Sequence, residues 1–152
     1  MPTRPASDLT THLGYWLRFV FNHVSQAFAR KVEAQGVTVA EWVLMRQLLD
    51  EEALAPSILA ARMGMTRGAI SRLAERLIAK SLLLRAADPE DGRAQTLALT
   101  PTGRALVPGL AALADANDAE FFDHLPPEDR AALLRILRGI VERRALTSLP
   151  VD

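Results

Sequence analysis

The apolar positions of this chain recur at helical spacing over most of its length and switch to two-residue alternation in one place. From about Leu9 to Gln35, Leu13, Leu17, Val20, Val24 and Phe28 follow one another at spacings of three and four. Tyr15, Trp16 and Phe19 form a second stripe beside them. One stripe is enough for a helix lying on the core of a monomer. Two stripes predict a helix shared between a core and a partner subunit, ending at Gly36. Thr38 to about Glu51 reads as a second helix with Trp42, Met45, Leu48 and Leu49 facing inward. Pro56 opens a short third helix, PSILAARM, because the missing proline N–H costs nothing at the first helical position. Gly64 stops it, and Thr66 is placed to cap a fourth, RGAISRLAERLIAK. That helix divides sharply: Ile70, Leu73, Ala74, Leu77 and Ile78 lie on one face, and Gly68, Arg72, Glu75 and Ala79 lie opposite, flanked by Ser71 and Arg76.

The alternation falls at Thr96-Leu97-Ala98-Leu99-Thr100, after the apolar run Leu82-Leu83-Leu84-Arg85 and the turn-rich loop DPEDGRAQ. Strand, loop and alternating strand predict a β-hairpin. Thr100-Pro101 then starts a fifth helix that runs to about Phe122 and contains Pro108-Gly109. An interior proline costs about 3 kcal/mol and bends a helix, so a kink is expected there. Pro126-Pro127 opens the last helix, with Leu133, Leu134, Leu137, Ile140 and Val141 on its apolar side. The expected fold is mainly α with a small β-hairpin wing, in one domain over residues 1–152. A winged helix-turn-helix lobe at 38–100 is flanked by a helical dimerisation region at 8–35 and 101–146.

Composition narrows the chemistry. A length of 152 residues suits one domain. No apolar run approaches the roughly 18–20 residues of a membrane helix. The start, MPTRPASDLTT, lacks the apolar stretch of a signal peptide. A cytoplasmic location without membrane association is therefore expected. The absence of cysteine excludes disulfides, thiolate metal sites and thiol redox sensing. Zero net charge conceals a segregation. Arg62, Arg67, Arg72, Arg76, Lys80, Arg85, Arg93 and Arg104 stand against Glu75, Asp88, Glu90 and Asp91, a local net of +4 between acidic flanks.

Two short helices joined by a glycine turn, with Arg and Ser on the second, form a helix-turn-helix pattern, and the hairpin makes it winged. A helix entering a major groove needs small residues for close approach and donors for base edges and phosphates. Gly68 and Ala69 supply closeness, Arg67, Ser71, Arg72 and Arg76 supply donors, and Glu75 can accept from a cytosine amino group. Ser57 and Thr66, at the starts of the third and fourth helices, complete the candidate contacts on that side.

The stretch PSILAARMGMTRGAISRLAERLIAKSLLLRAADPEDGRAQTLALTPTGRAL resembles the winged helix-turn-helix of the MarR (multiple antibiotic resistance regulator) family. Ala60, Gly64, Ile70 and Leu73 match its small, turn and apolar positions, and Asp91-x-Arg93 followed by Leu97, Leu99 and Thr100 resembles its wing signature. Ser81 departs from the glycine that the family usually places after the recognition helix, where a left-handed backbone is expected.

In this reading Arg93 is the wing-tip cation that enters a minor groove. Asp91 fixes it by binding either the guanidinium or the turn backbone, and Asp88, Pro89, Glu90 and Gly92 are turn chemistry. The resemblance also implies an effector pocket for small, often aromatic and anionic molecules where the first two helices meet the reading lobe. Trp16, Arg18, Trp42 and Arg46 are the candidates to line it, an arginine holding the anionic group.

No aromatic residue lies between Val43 and Glu120, which argues against single-strand binding by base stacking. His12 and His23 are eleven residues apart, roughly 16 Å along a helix at about 1.5 Å per residue, and neither they nor His124 sits in a metal-ligand spacing. No cofactor or metal is expected. No phosphate loop or nucleophile elbow is present, so no enzymatic activity is expected. The expected function is a homodimeric, double-stranded DNA-binding transcriptional repressor, released from a pseudo-palindromic operator by a small effector. The alternatives are a winged-helix protein-interaction module and a DNA-binding protein without an effector.

Overall fold

The computed structural model describes residues 1–88 and 90–147. Pro89, read above as part of the wing turn, lies outside the described residues. A one-turn 3₁₀ helix at Leu9–Thr11 precedes α1 (Leu13–Glu33), α2 (Val39–Leu48), α3 (Pro56–Met63) and α4 (Arg67–Ala79). The strands β1 (Leu83–Ala87) and β2 (Gln95–Leu99) follow, then α5 (Pro101–Phe122) and α6 (Pro127–Arg143). None of these helices is long and apolar enough to cross a membrane.

Each boundary has a local cause. The Thr38 hydroxyl accepts from Glu41 N at 3.1 Å and starts α2, and the Thr66 hydroxyl does the same for α4 from Ala69 N, also at 3.1 Å. Gly64 ends α3 in the left-handed region at φ 63°. Ser81 also adopts it, at φ 60°, where glycine would be unstrained. The strain is held by the Thr100 hydroxyl, which donates to the Ser81 carbonyl at 2.7 Å and accepts from Gly103 N at 3.0 Å to start α5. Gly103 permits this junction: a Cβ there would overlap the Leu82 carbonyl oxygen and sit 3.0 Å from its carbon.

β1 and β2 pair antiparallel, with Leu83 opposite Leu99, Arg85 opposite Leu97 and Ala87 opposite Gln95. Leu54 adds a one-residue rung to β2, exchanging hydrogen bonds of 2.9 and 2.8 Å with Leu97. The core lies in the reading lobe: Leu44, Met45 and Leu48 from α2, Leu59 and Met63 from α3, and Ile70 and Leu77 from α4 are fully buried. Leu83 and Leu97 of the wing and Val107 and Leu110 of α5 close it. Removing a leucine side chain from water contributes roughly 1.5–3 kcal/mol, so this cluster fixes α4 and the wing to one scaffold.

Some expectations shift. The first helix starts at Leu13 instead of Leu9, because His12 is extended. Trp42 and Leu49 are only half-buried, and Leu44 and Glu41 take inward positions beside Met45 and Leu48. α5 runs through Pro108 as one element. No residue of α6 is buried. Leu134, Ile136, Leu137 and Ile140 are 40–51% exposed, as are Trp16, Phe19, Val20 and Phe21 of α1 at 45–49%.

Candidate nucleic-acid interface

α4 sits on the core through Ile70, Leu73, Ala74 and Leu77, and this decides what it shows outward. Arg67, Gly68, Ser71, Arg72, Glu75 and Arg76 are exposed, and Ala69 is partly so. Thr66 is exposed at the helix start with its hydroxyl engaged by Ala69 N, and Ser57 is half-buried at the start of α3. The face is narrow, with glycine at its entry and guanidinium groups along it, which fits a helix that approaches a groove closely.

The eight cations of the basic segment divide into two groups. Arg62 pairs with Glu51 at 3.3 Å, Lys80 with buried Glu41 at 2.7 Å, and Arg104 donates to the carbonyls of Leu49 and Glu51 at 2.6 and 3.2 Å. These three stitch the lobe together. Arg76 is shared, its Nε 3.7 Å from Glu41. Among the described residues Arg67, Arg72, Arg85 and Arg93 have no carboxylate partner. The outward field therefore comes from α4 and the wing.

At the wing tip Asp88 Oδ1 accepts from Glu90 N at 2.9 Å, and Asp91 Oδ1 accepts from Arg93 N at 3.1 Å. The turn is closed by Asp88 N to the Ala94 carbonyl and Ala94 N to the Asp91 carbonyl. Of the two roles open to Asp91, the structure places it on the backbone. It shapes the turn as an Asx residue and leaves the exposed Arg93 guanidinium projecting free of it.

A cleft of about 300 Å³ opens between α1, α2 and α5. Phe21, Val24, Ser25 and Phe28 form one wall, Val39, Trp42 and Val43 a second, and Ala114, Asn117 and Asp118 the third. Of the four residues expected to line an effector pocket, it contains Trp42 only. Trp16 lies on the exposed part of α1, its indole N–H donating to the Thr10 carbonyl at 2.9 Å, in contact with Tyr15 and Phe19. Arg18 is exposed, and Arg46 pairs with Asp50 at 3.1 Å on the outside of α2. Arg46 lies one helical turn beyond Trp42, on the same side of α2, outside the lining and held by Asp50. His12 meets the Ser7 hydroxyl at 3.1 Å and His23 stacks on Phe19.

Comparison with known proteins places this geometry. The model of the MarR family matches residues 35–94, from the end of α1 through α4 to the wing tip. A transcriptional regulatory protein assigned to the hcr operon of Thauera aromatica is 27% identical over 144 residues, spanning 92% of this chain and 85% of its own. The repressor MdtR of Bacillus subtilis is 29% identical over 100 residues, 66% of this chain and 64% of its own. The structure of BpsR from Bordetella bronchiseptica superposes with a TM-score of 0.78 at 26% identity, covering 90% of this chain and 97% of that one. The winged-helix lobe, residues 35–94, is of MarR type.

The protein is a winged-helix, DNA-binding transcriptional regulator of MarR type. Several residues that organise this lobe carry no motif. Glu41 is 1% exposed yet charged. Lys80 reaches it from the end of α4 and also donates to the Gly36 carbonyl at 2.9 Å, tying together the ends of three helices. Asn117, 3% exposed, donates to the Val24 carbonyl at 3.1 Å and accepts from Lys31 at 2.9 Å, binding α5 to α1. An isolated Glu or Asn at helical spacing looks like a surface residue until its partner, 39 or 93 residues away, is in place.

Proposed function

We propose that the protein is a homodimeric repressor that reads an inverted repeat in duplex DNA and releases it on binding a small aromatic molecule. The observation that carries the reading is the pair of unpartnered donor sets, Arg67 and Arg72 on α4 and Arg93 at the wing tip, on one lobe. α4 enters a major groove, where Arg72 and Arg76 contact base edges or phosphates, and Arg93 follows the adjacent minor groove. Ser57, Thr66 and Ser71 donate to the backbone, fixing register.

The dimer reading rests on apolar surface. Leu134, Leu137 and Ile140 of α6 and Leu17 and Val20 of α1 are 40–51% exposed in the single chain. Contiguous apolar faces on two helices of one protomer are supported by burial against a second copy. A two-fold pair sets its recognition helices about 34–36 Å apart, one turn of DNA.

The cleft between α1, α2 and α5 supports a ligand response. Its walls join α2, which packs on α4, to α1 and α5, which pack on each other. A molecule wedged there favours one lobe separation over another, and any difference in affinity between the two geometries shifts the operator equilibrium. BpsR offers a parallel, its DNA binding being regulated by 6-hydroxynicotinic acid.

The test is titration of a selected inverted-repeat duplex at fixed salt. Arg72→Ala and Arg93→Ala each weaken binding at least tenfold, with the melting curve unchanged. Binding that survives both substitutions rejects this interface and favours a protein-interaction module.

A further inference from the structure

Resting on the ligand-responsive reading of the α1–α2–α5 cleft, we infer that its occupant is a small planar aromatic molecule bearing a donor group, an amide, amine or amidine, and no negative charge. Phe21, Phe28 and Trp42 fit a flat ring, and about 300 Å³ suits one or two fused rings. The polar lining decides the charge. Among the described residues that line the cleft, Asp118 is the one charged group and none is a cation.

Two cations that touch lining residues are already engaged. Lys31 donates to Glu120 at 2.7 Å and to Asn117 Oδ1 at 2.9 Å. Arg130 lies 3.8 Å from Asp118 on the α6 side. One N–H of the Asn117 amide donates to the Val24 carbonyl, and its oxygen accepts from Lys31. A ligand carboxylate would enter a mainly apolar cleft whose charged lining group is Asp118, losing water without a lining cation to pair with. A donor group would instead meet the Asp118 carboxylate in a charge-assisted hydrogen bond. Asp118 is 58% exposed, which places this contact at the mouth of the cleft and the ring inside.

The experiment is calorimetric titration of the full chain with three probes of one ring system, 2-naphthoate, 2-naphthamide and 2-naphthamidine. The amide and amidine are expected to bind at least tenfold tighter than the acid, and Asp118→Asn should bring the acid within threefold of the amide. Equal or tighter binding of naphthoate by the wild-type chain overturns the charge assignment and leaves the ligand cleft standing. Discrimination that persists in Asp118→Asn removes the role given to Asp118. Failure of all three probes removes the cleft as a ligand site, and this inference with it.

Discussion

Lys80→Met is expected to destabilise the fold about threefold more than Glu41→Gln, although both changes break the same ion pair. Lys80 Nζ lies 2.7 and 3.1 Å from the two Glu41 oxygens and 2.9 Å from the Gly36 carbonyl. The partners differ in burial: Glu41 is 1% exposed at its side chain and Lys80 39%. Removing the lysine leaves an interior carboxylate with only Arg76 at 3.7 Å. Breaking a buried pair in this way costs about 3–5 kcal/mol, and the partial exposure of the site places the expectation at the lower end, about 3 kcal/mol. In Glu41→Gln the amide oxygen still accepts from Lys80, and the ammonium is within reach of water. That loss is about 1 kcal/mol, the net worth of one hydrogen bond. The double variant should lose less than the sum, because no buried charge is stranded. Urea unfolding at one chain concentration, with equal m-values, measures all three. A Lys80→Met cost within about 0.5 kcal/mol of zero, or a costlier Glu41→Gln, would refute the assignment of Glu41 as the stranded group.

Three other substitutions test separate joints. Ser81→Gly relieves a left-handed serine worth about 1–2 kcal/mol and costs about 0.5–1 kcal/mol of unfolded-state entropy. A gain of about 0.5–1 kcal/mol in the same urea assay is expected, and a loss would contradict the strain argument. Gly103→Ala drives a methyl into the Leu82 carbonyl. Because both sides are backbone, the cost should be at least about 1–3 kcal/mol despite alanine's better helix propensity, read as a melting temperature lower by several degrees. Pro108→Ala restores a donor for the Arg104 carbonyl and removes a flexing point in α5. Operator affinity or ligand release should change at least threefold in a duplex titration, and no change in either would remove Pro108 from the mechanism.

The parts of the fold visible in the sequence were those with local causes. Thr38, Thr66 and Thr100 precede their helices as hydroxyl caps, Gly64 ends α3, and alternation at Thr96–Thr100 marks β2, all within a few residues. The outer face of α4 was legible for the same reason, since Ile70, Leu73 and Leu77 fix its phase. Features that depend on distant partners were not. Nothing around Leu54 signals a rung on β2, since one residue carries no periodicity. Arg104 looks like a free basic residue until the Leu49 and Glu51 carbonyls come within 2.6 and 3.2 Å of it. The effector candidates followed residue type, aromatic plus arginine. Trp16 lies away from the cleft, which joins Trp42 to Phe21, Phe28 and Asn117.

The most direct test of a dimeric DNA reader is selection of wild-type protein on a random duplex library, at one moderate salt concentration because affinity depends on it steeply. The account predicts one inverted repeat with half-sites about 10 base pairs apart centre to centre, and its loss when Arg93→Ala protein is used. Recovery of unrelated duplexes, bound weakly and released by a modest rise in salt, would contradict it.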